Sequence, residues 1–513
     1  MIFTVVLIVA FILFYLYNTR DFNYWKERGV KHDEPMLLFG TNAKNYLLQK
    51  SYTEMLVETY WKYPKEKVVG IFRSSSPGLV IRDANFVKRI LTTDFAYFHM
   101  RGLNQHPEVF EPLFRNIFFA EGDVWRLLRQ RMTPAFTSGK LRAMFPLIVS
   151  RAERLQAYTA AAAAAGRTLD ARDLMARYTT DFIGACGFGL DTDSLNDESS
   201  AFRKLGANIF NFRFRDILTL YLKDMFPEIF KNFKIMGQVE DEIISLVKAI
   251  MKERNYQPAG RNDFIDLLLE CKSKGLMKGE SMTKVKDDGT PEMASMELDD
   301  VTMAAQVFIF FVAGFETSSS ATSFTLHQLA YHPEIQKKVQ DEIDRVLLKH
   351  NNKLNYDAIK EMTYLDWTFK EGMRMFPSLG YLLRKCARQY TFPDTNITID
   401  AGIRVFIPVQ AMQMDPLYFD NPEEFRPERF DPEVFDSSLK YVFLPFGTGP
   451  RACIGERMGQ MQSLAGLAAV LSRFTVRPAP ESVRQPSVMP ASGVIQIIRG
   501  GVPLLFEERK MTA

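Results

Sequence analysis

From Ile2 to Tyr17 only Thr4 interrupts an otherwise apolar run, IFTVVLIVAFILFYLY, and the first charges follow at Arg20, Asp21, Lys26, Glu27 and Arg28. The run is slightly shorter than the roughly 20 residues that span a bilayer comfortably, and Tyr24 and Trp25 just beyond it suit the membrane interface. No basic segment precedes it, and NTRDFNYW follows in place of a small-residue cleavage site. An uncleaved anchor is therefore expected over a cleaved signal peptide, with the positive flank on the cytosolic side. Past the anchor the apolar positions recur mostly at helical spacing. Long amphipathic stretches cover Asp299 to Tyr331, closed by Pro333, and Glu456 to Phe474. A hairpin is expected where KVVGIF (Lys67 to Phe72) and GLVIRD (Gly78 to Asp83) flank the turn residues RSSSP, and further strands at Ile403 to Val409 and Gly493 to Ile498. The alanines Ala160 to Ala165, stopped by Gly166, read as a helix end, and the polar segment Lys272 to Leu298 as an exposed connection. With no internal repeat and no dividing linker, the expectation is a mainly α chain: an anchor over residues 1–20 and a single domain over 21–513.

Composition narrows the chemistry. A chain of 513 residues with 47% hydrophobic side chains can bury a large core, and 64 basic against 61 acidic residues give no polycationic signature, so nucleic acid is not an expected partner. The cysteines Cys186, Cys271, Cys386 and Cys453 contain no C-x-x-C pair and are too sparse for a disulfide framework. The histidines His32, His99, His106, His327, His332 and His350 include no H-E-x-x-H, so a histidine zinc site is not expected either.

One cysteine stands apart. In FGTGPRACIG, Gly447, Gly449 and Pro450 forbid a regular helix before Cys453, while Gly455 opens the helical stretch that follows. The thiol thus sits just before a helix N-terminus, where unpaired N–H groups favour an anion, and the glycines leave room for a flat bulky group. A single thiolate so presented suits haem iron. The pattern Phe446-x-x-Gly449-x-Arg451-x-Cys453-x-Gly455 resembles the haem-binding signature of the cytochrome P450 family in every fixed position. The resemblance covers essentially the whole chain, and its wording is most like insect members of the microsomal class. A proline-rich hinge common after the anchor in that class is not obvious, with only Pro35 nearby. The implied fold is a large helical lobe with a long central helix and a small β-rich N-terminal lobe, preceded by the membrane anchor. The implied cofactor is haem b, with Cys453 as axial metal ligand and Phe446 in the binding loop.

Other motifs agree. In FFVAGFETSSS, Ala313, Gly314, Glu316 and Thr317 lie inside a long apolar helix, where an acid beside a hydroxyl is costly to bury. A hydroxyl that bonds the backbone one turn back, beside a glycine, loosens the helical ladder. By resemblance Thr317, helped by Glu316, delivers protons to dioxygen. FKEGMRMFP sets Glu371 and Arg374 one turn apart, and FRPERF supplies Arg429; these resemble the family's structural Glu, Arg, Arg network. WRLLR puts Trp125 and Arg129 on one helix face. The resemblance assigns both to the haem propionates, joined by Arg451 and then Arg384, with Arg101 a further candidate.

The resemblance implies a monooxygenase of the endoplasmic reticulum membrane. Its electrons come from NADPH through an NADPH-cytochrome P450 reductase, with cytochrome b5 as an optional second donor; the chain itself carries no G-x-G-x-x-G after a strand. Arg126, Arg131, Lys140 and Arg142 are open to two readings, a docking patch for the reductase or an ordinary solvated face. Phe308, Phe310, Phe311 and Leu379 to Leu383 are expected to line an apolar pocket for a lipophilic small molecule, and the aromatic stretch Phe210 to Phe233 to form a membrane-facing lid or plain core. Two other classes stand beside the monooxygenase: a haem-thiolate isomerase or dehydratase acting on peroxides without a reductase, and a non-catalytic haem carrier.

Overall fold

The computed structural model describes residues 2–103, 109, 111–197, 202, 204, 206, 209, 214–234, 239–261 and 263–510. The first apolar run forms α1 (Ile2–Thr19), long and apolar enough to cross a membrane, with almost all of its side chains exposed. Trp25, expected at a membrane interface, is instead fully buried. Its ring covers Gly70, where a Cβ would fall 2.5 Å from Trp25 Cγ, and its Nε1 donates to Ile71 O at 3.0 Å. A large ring whose N–H finds a partner stabilises more as core than as a wetted surface.

The expected hairpin forms as β1 (Val68–Arg73) and β2 (Ser76–Ile81), so only Ser74 and Ser75 turn the chain. Next come α2 (Gly122–Met132) and α3 (Ser138–Ala164), which ends in the alanine run as expected. They are followed by β3 (Leu169–Asp170), α4 (Ala171–Ile183) and α5 (Phe214–Met225). Phe210 and His106 lie outside the described residues. The segment read as an exposed connection is largely a second hairpin, β4 (Met277–Val285) and β5 (Pro291–Met296), laid over α2. Ser281 Oγ and Met282 N both donate to the Asp123 carboxylate, at 2.7 and 2.6 Å. Most of the hairpin's side chains are solvated, which is why its sequence looked like a loop.

The long apolar helix is α6 (Asp300–Tyr331), capped by Asp299, whose carboxylate accepts Thr302 N at 2.6 Å. Then follow α7 (Thr363–Met375), β6 (Leu382–Lys385), β7 (Arg404–Ile407), α8 (Glu456–Arg473), β8 (Phe474–Pro478) and β9 (Pro503–Glu508). The stretch Gly493 to Ile498 is not the expected strand. It makes only the isolated bridges Leu379↔Ile495 and Val488↔Ile498, because Gln496 is committed to the 377–378 turn, its Nε2 to Pro377 O at 2.7 Å and its N to Ser378 O at 2.8 Å.

One sheet runs β1-β2-β7-β6, antiparallel except for the parallel pair β2 and β7; a second joins β8, β9 and β3. The chain is mostly helical with a smaller β-rich region, and each part has its own buried apolar cluster. Behind the helical cluster, Glu371 and Arg374 on α7 are both fully buried. Arg374 Nε and Nη2 donate to the two carboxylate oxygens at 2.7 and 2.9 Å, and Arg429 Nε reaches the same carboxylate at 3.3 Å. Arg374 spends its other donors on Gln413 O (2.8 Å) and Pro422 O (2.7 Å), so the expected network pins α7 to the 413–429 segment. Removing the shared carboxylate leaves two guanidiniums buried without it. Glu371→Ala is therefore expected to cost about 3–5 kcal/mol of stability, read as a lower denaturant midpoint; an unchanged midpoint would show that the two arginines are balanced by other groups.

Candidate active site

The loop before α8 folds around its glycines. Gly447 and Gly449 have φ of 69° and 77°, and a Cβ on Gly449 would lie 1.9 Å from Leu91 O, so no other residue fits there. Cys453 N donates to Phe446 O at 2.8 Å, which closes the loop, and the thiol lies accessible in the wall of a large cavity, surrounded by enough protein to be poorly hydrated. Burial pushes the Cys453 thiol up, opposed by the Gly455 N–H and by Arg101 and Arg129. The helix end therefore helps the thiolate, as its position suggested, but does not by itself outweigh desolvation.

The same cavity is lined by Ala313, Gly314, Thr317 and Ser318 of α6. Thr317 Oγ1 donates to Ala313 O at 2.6 Å, one turn back as expected. Glu316 does not face the cavity: its side chain is buried against α4 and ion-pairs with Arg172. Consecutive helical residues point about 100° apart, so these two neighbours serve opposite sides of the helix. Of the expected apolar lining, Phe310, Leu379, Tyr381, Leu382 and Leu383 are present. Phe308 and Phe311 are buried elsewhere, Phe311 against Phe188 and Phe202. Ile117, Phe118, Ile309 and Val494 complete an apolar wall that sequence reading missed.

Arg101, Trp125, Arg129, Arg384 and Arg451 all converge on this cavity, with Phe446 beside Cys453. Arg129 Nη1 donates to Ala452 O (2.8 Å), Arg384 Nη1 to Leu383 O (2.8 Å), and Arg101 Nη1 to Phe118 O (2.9 Å). Arg451 lies over the Trp125 ring, 4.3 Å from its centroid, and pairs with Glu121 at 2.6 Å. Among the described residues Glu121 is the one acid that ion-pairs with any of these four guanidiniums, and Arg384 Nε has no partner. The cost of this imbalance shows in their acidity. Burial, then the field of Arg451, pushes Arg384 down to about 9; burial, with Arg129 adding, lowers Arg451 to about 10; burial, then Arg451 and Arg384, holds Arg101 well below its usual range. A cavity with one soft thiol ligand, an apolar wall and four under-neutralised cations fits a flat metal-bearing group with two carboxylates, which is the make-up of haem.

The sequence model of the cytochrome P450 family matches residues 34–502 of this chain. The chain belongs to the cytochrome P450 family. It is 36% identical to Cytochrome P450 6B6 of Helicoverpa armigera, across 100% of this chain and 99% of that protein. It is also 36% identical to Cytochrome P450 6B5 of Papilio glaucus, across 94% and 99%, and to Cytochrome P450 6a2 of Drosophila melanogaster, across 97% and 98%. This P450 is accordingly a monooxygenase whose family carries a haem-thiolate iron.

On the outer face the four basic residues open to two readings are all engaged. Arg126 meets Glu280 at 3.5 Å, Lys140 meets Glu270 at 3.3 Å, Arg142 meets Asp357 at 2.8 Å, and Arg131 donates to Cys271 O at 2.9 Å. This favours the ordinary face over a bare docking patch. The Cys453 loop supplies its own test. Gly449→Ala combines a left-handed backbone with a clash against a main-chain oxygen, so a loss of at least about 2 kcal/mol is expected, measured as a lower thermal midpoint; retention of the wild-type midpoint would mean that the Leu91 strand of contacts gives way freely.

Proposed function

We propose that this P450 inserts one oxygen atom of O2 into a lipophilic small molecule, foreign or endogenous, at the cytosolic face of the endoplasmic reticulum membrane. A single catalytic domain over residues 21–513 is held there by the anchor of residues 1–20, and electrons come from NADPH through a reductase. The observation that carries this reading is that the Cys453 thiol and the Thr317 hydroxyl line one largely apolar cavity together with four guanidiniums, of which, among the described residues, only that of Arg451 has an ion-pair partner.

Haem b held by a thiolate would supply oxygen activation strong enough for unactivated C–H bonds. Cys453 would hold the iron through its thiolate, whose negative charge the Gly455 N–H supports. Trp125, Arg129, Arg451, Arg384 and Arg101, which line the cavity together with Phe446, would hold the two carboxylates. The apolar wall of Ile117, Phe118, Ile309 and Phe310 orients a lipophilic substrate and excludes bulk water. Thr317 holds a proton at Oγ1, given to Ala313 O in this structure, and presents it to the cavity when that bond turns. Glu316 links the same helical turn to the surface through Arg172, whose side chain is 25% exposed. This proton-handling turn favours the monooxygenase over an isomerase of peroxides, which needs no such delivery.

Two measurements check the reading. The reduced wild-type protein should give a strongly red-shifted Soret band with carbon monoxide, and Cys453→Ser should lose it; a haem-replete wild type without that band would sink the assignment of Cys453. Thr317→Ala should keep the band while yielding several-fold less product per NADPH consumed with reductase. Unchanged coupling would remove Thr317 from proton delivery.

A further inference from the structure

Glu121 stands directly before α2 in extended backbone, with φ of −121° and ψ of 164°, yet its side chain does not cap that helix. It reaches sideways instead. Its Oε1 accepts the backbone N–H groups of Arg101 and Gly102, both at 2.9 Å, and its Oε2 accepts Arg451 Nη2 at 2.6 Å. Each group it holds is otherwise tied into the cavity rim. Arg451, whose side chain is fully buried, also donates Nε to His99 O (2.7 Å) and Nη1 to Ala120 O (3.0 Å), and its own carbonyl accepts Arg101 Nη2 at 3.2 Å. Met100 forms a bridge to Lys385, next to Arg384, and Gly102 at φ 72° packs so closely that a Cβ would meet Lys385 Cβ at 2.7 Å. One carboxylate thus fastens together the 100–102 segment, the Cys453 loop and the start of the helix that carries Trp125 and Arg129.

We propose that Glu121 is a positioning residue for the cofactor: it fixes Arg101 and Arg451 where two propionates require them, and its negative charge tempers the field of the four guanidiniums at the iron. The inference rests on the haem-thiolate reading above. Glu121 does not itself touch the cofactor; it acts through the two arginines. The charge part has a definite sign. Reduction adds an electron to the site, so removing a nearby negative charge stabilises the reduced form and raises the midpoint potential.

The test compares wild type, Glu121→Gln and Glu121→Asp as purified holoenzymes, following the midpoint potential by spectroelectrochemistry and haem loss by transfer to excess apomyoglobin. Glu121→Gln keeps the size but loses the charge and half the acceptor capacity. It should raise the potential and speed haem loss roughly 10–100-fold, the range seen when groups that orient ligands are removed. Glu121→Asp keeps the charge on a shorter arm, so haem loss should still rise while the potential stays near wild type. Should Glu121→Gln not fold, the aspartate variant decides: wild-type haem retention in it overturns the positioning role. In a folded Glu121→Gln, an unchanged potential and an unchanged rate of haem loss overturn the proposal, and a lower thermal midpoint with both of these unchanged marks Glu121 as merely structural. A wild type that retains no haem at all contradicts the parent reading instead, so the two failures are separate.

Discussion

Four guanidiniums line one cavity, among the described residues only Glu121 ion-pairs with any of them, and much of the fold serves to hold that imbalance in place. Arg101, Arg129, Arg384 and Arg451 come from four separate parts of the chain: the segment before α2, α2 itself, β6 and the Cys453 loop. Like charges gathered out of water repel and lose hydration, a cost of several kcal/mol per ion. The structure answers with main-chain carbonyls of Phe118, Ala452, Leu383, His99 and Ala120, each accepting from one of the four. Carbonyl dipoles fix a guanidinium's position without cancelling its charge. The guanidiniums are thus positioned without any ligand, and an anionic group bound among them would balance their charge, so that its binding would contribute to folding.

The same chemistry appears elsewhere with its charges matched. Glu371 takes Arg374 and Arg429 together, and Asp224 on α5 takes Arg73 of β1 and Arg404 of β7, with the Tyr46 hydroxyl as a further donor. In both places the arginines converge on a buried carboxylate that each of them reaches, and the result is a clamp between elements: α7 to the 413–429 segment, α5 to the sheet. Among the described residues, the buried arginine without an ion-pair partner is Arg384, in the wall of the Cys453 cavity. The contrast separates a structural ion pair from a receptor for an anionic ligand by counting partners, without appeal to any relative.

What was legible in the sequence was local. The Cys453 loop is specified by glycines a few residues apart, Trp125 and Arg129 by one turn of helix, and α6 by apolar positions at helical spacing, and these local elements form as expected. Glu121 and Val494 left no such signal, because they matter only through partners tens to hundreds of residues away. Trp25 misled for the same reason: its position after the anchor suggested an interface, and the groove over Gly70 that claims it exists only once β1 has formed. The β4 and β5 hairpin was hidden by solvation, since few of its side chains turn inward. The facing of Glu316 left less of a signal, since a 100° step to its neighbour Thr317 permits either facing, and the partner that claims it, Arg172, lies 144 residues away.

The turn of α6 that lines the Cys453 cavity is held by more than its own helical ladder. Five successive carbonyls each accept a side-chain donor: Ala313 O from Thr317, Gly314 O from Gln462, Phe315 O from Thr179, Glu316 O from Ser319 and Thr317 O from Ser378. Three of those donors, Gln462, Thr179 and Ser378, belong to α8, α4 and the segment after α7, so the turn is held from outside the helix as well as from within. Gly314 also lets α4 come close, since a Cβ there would lie 2.2 Å from Ile183 Cδ1. The small Ala313 and Gly314 leave room on the cavity side while neighbours fix the far side. A hydroxyl such as that of Thr317 can then change partners locally without the surrounding helix having to move, because the carbonyls around it are secured by groups that do not take part in the exchange.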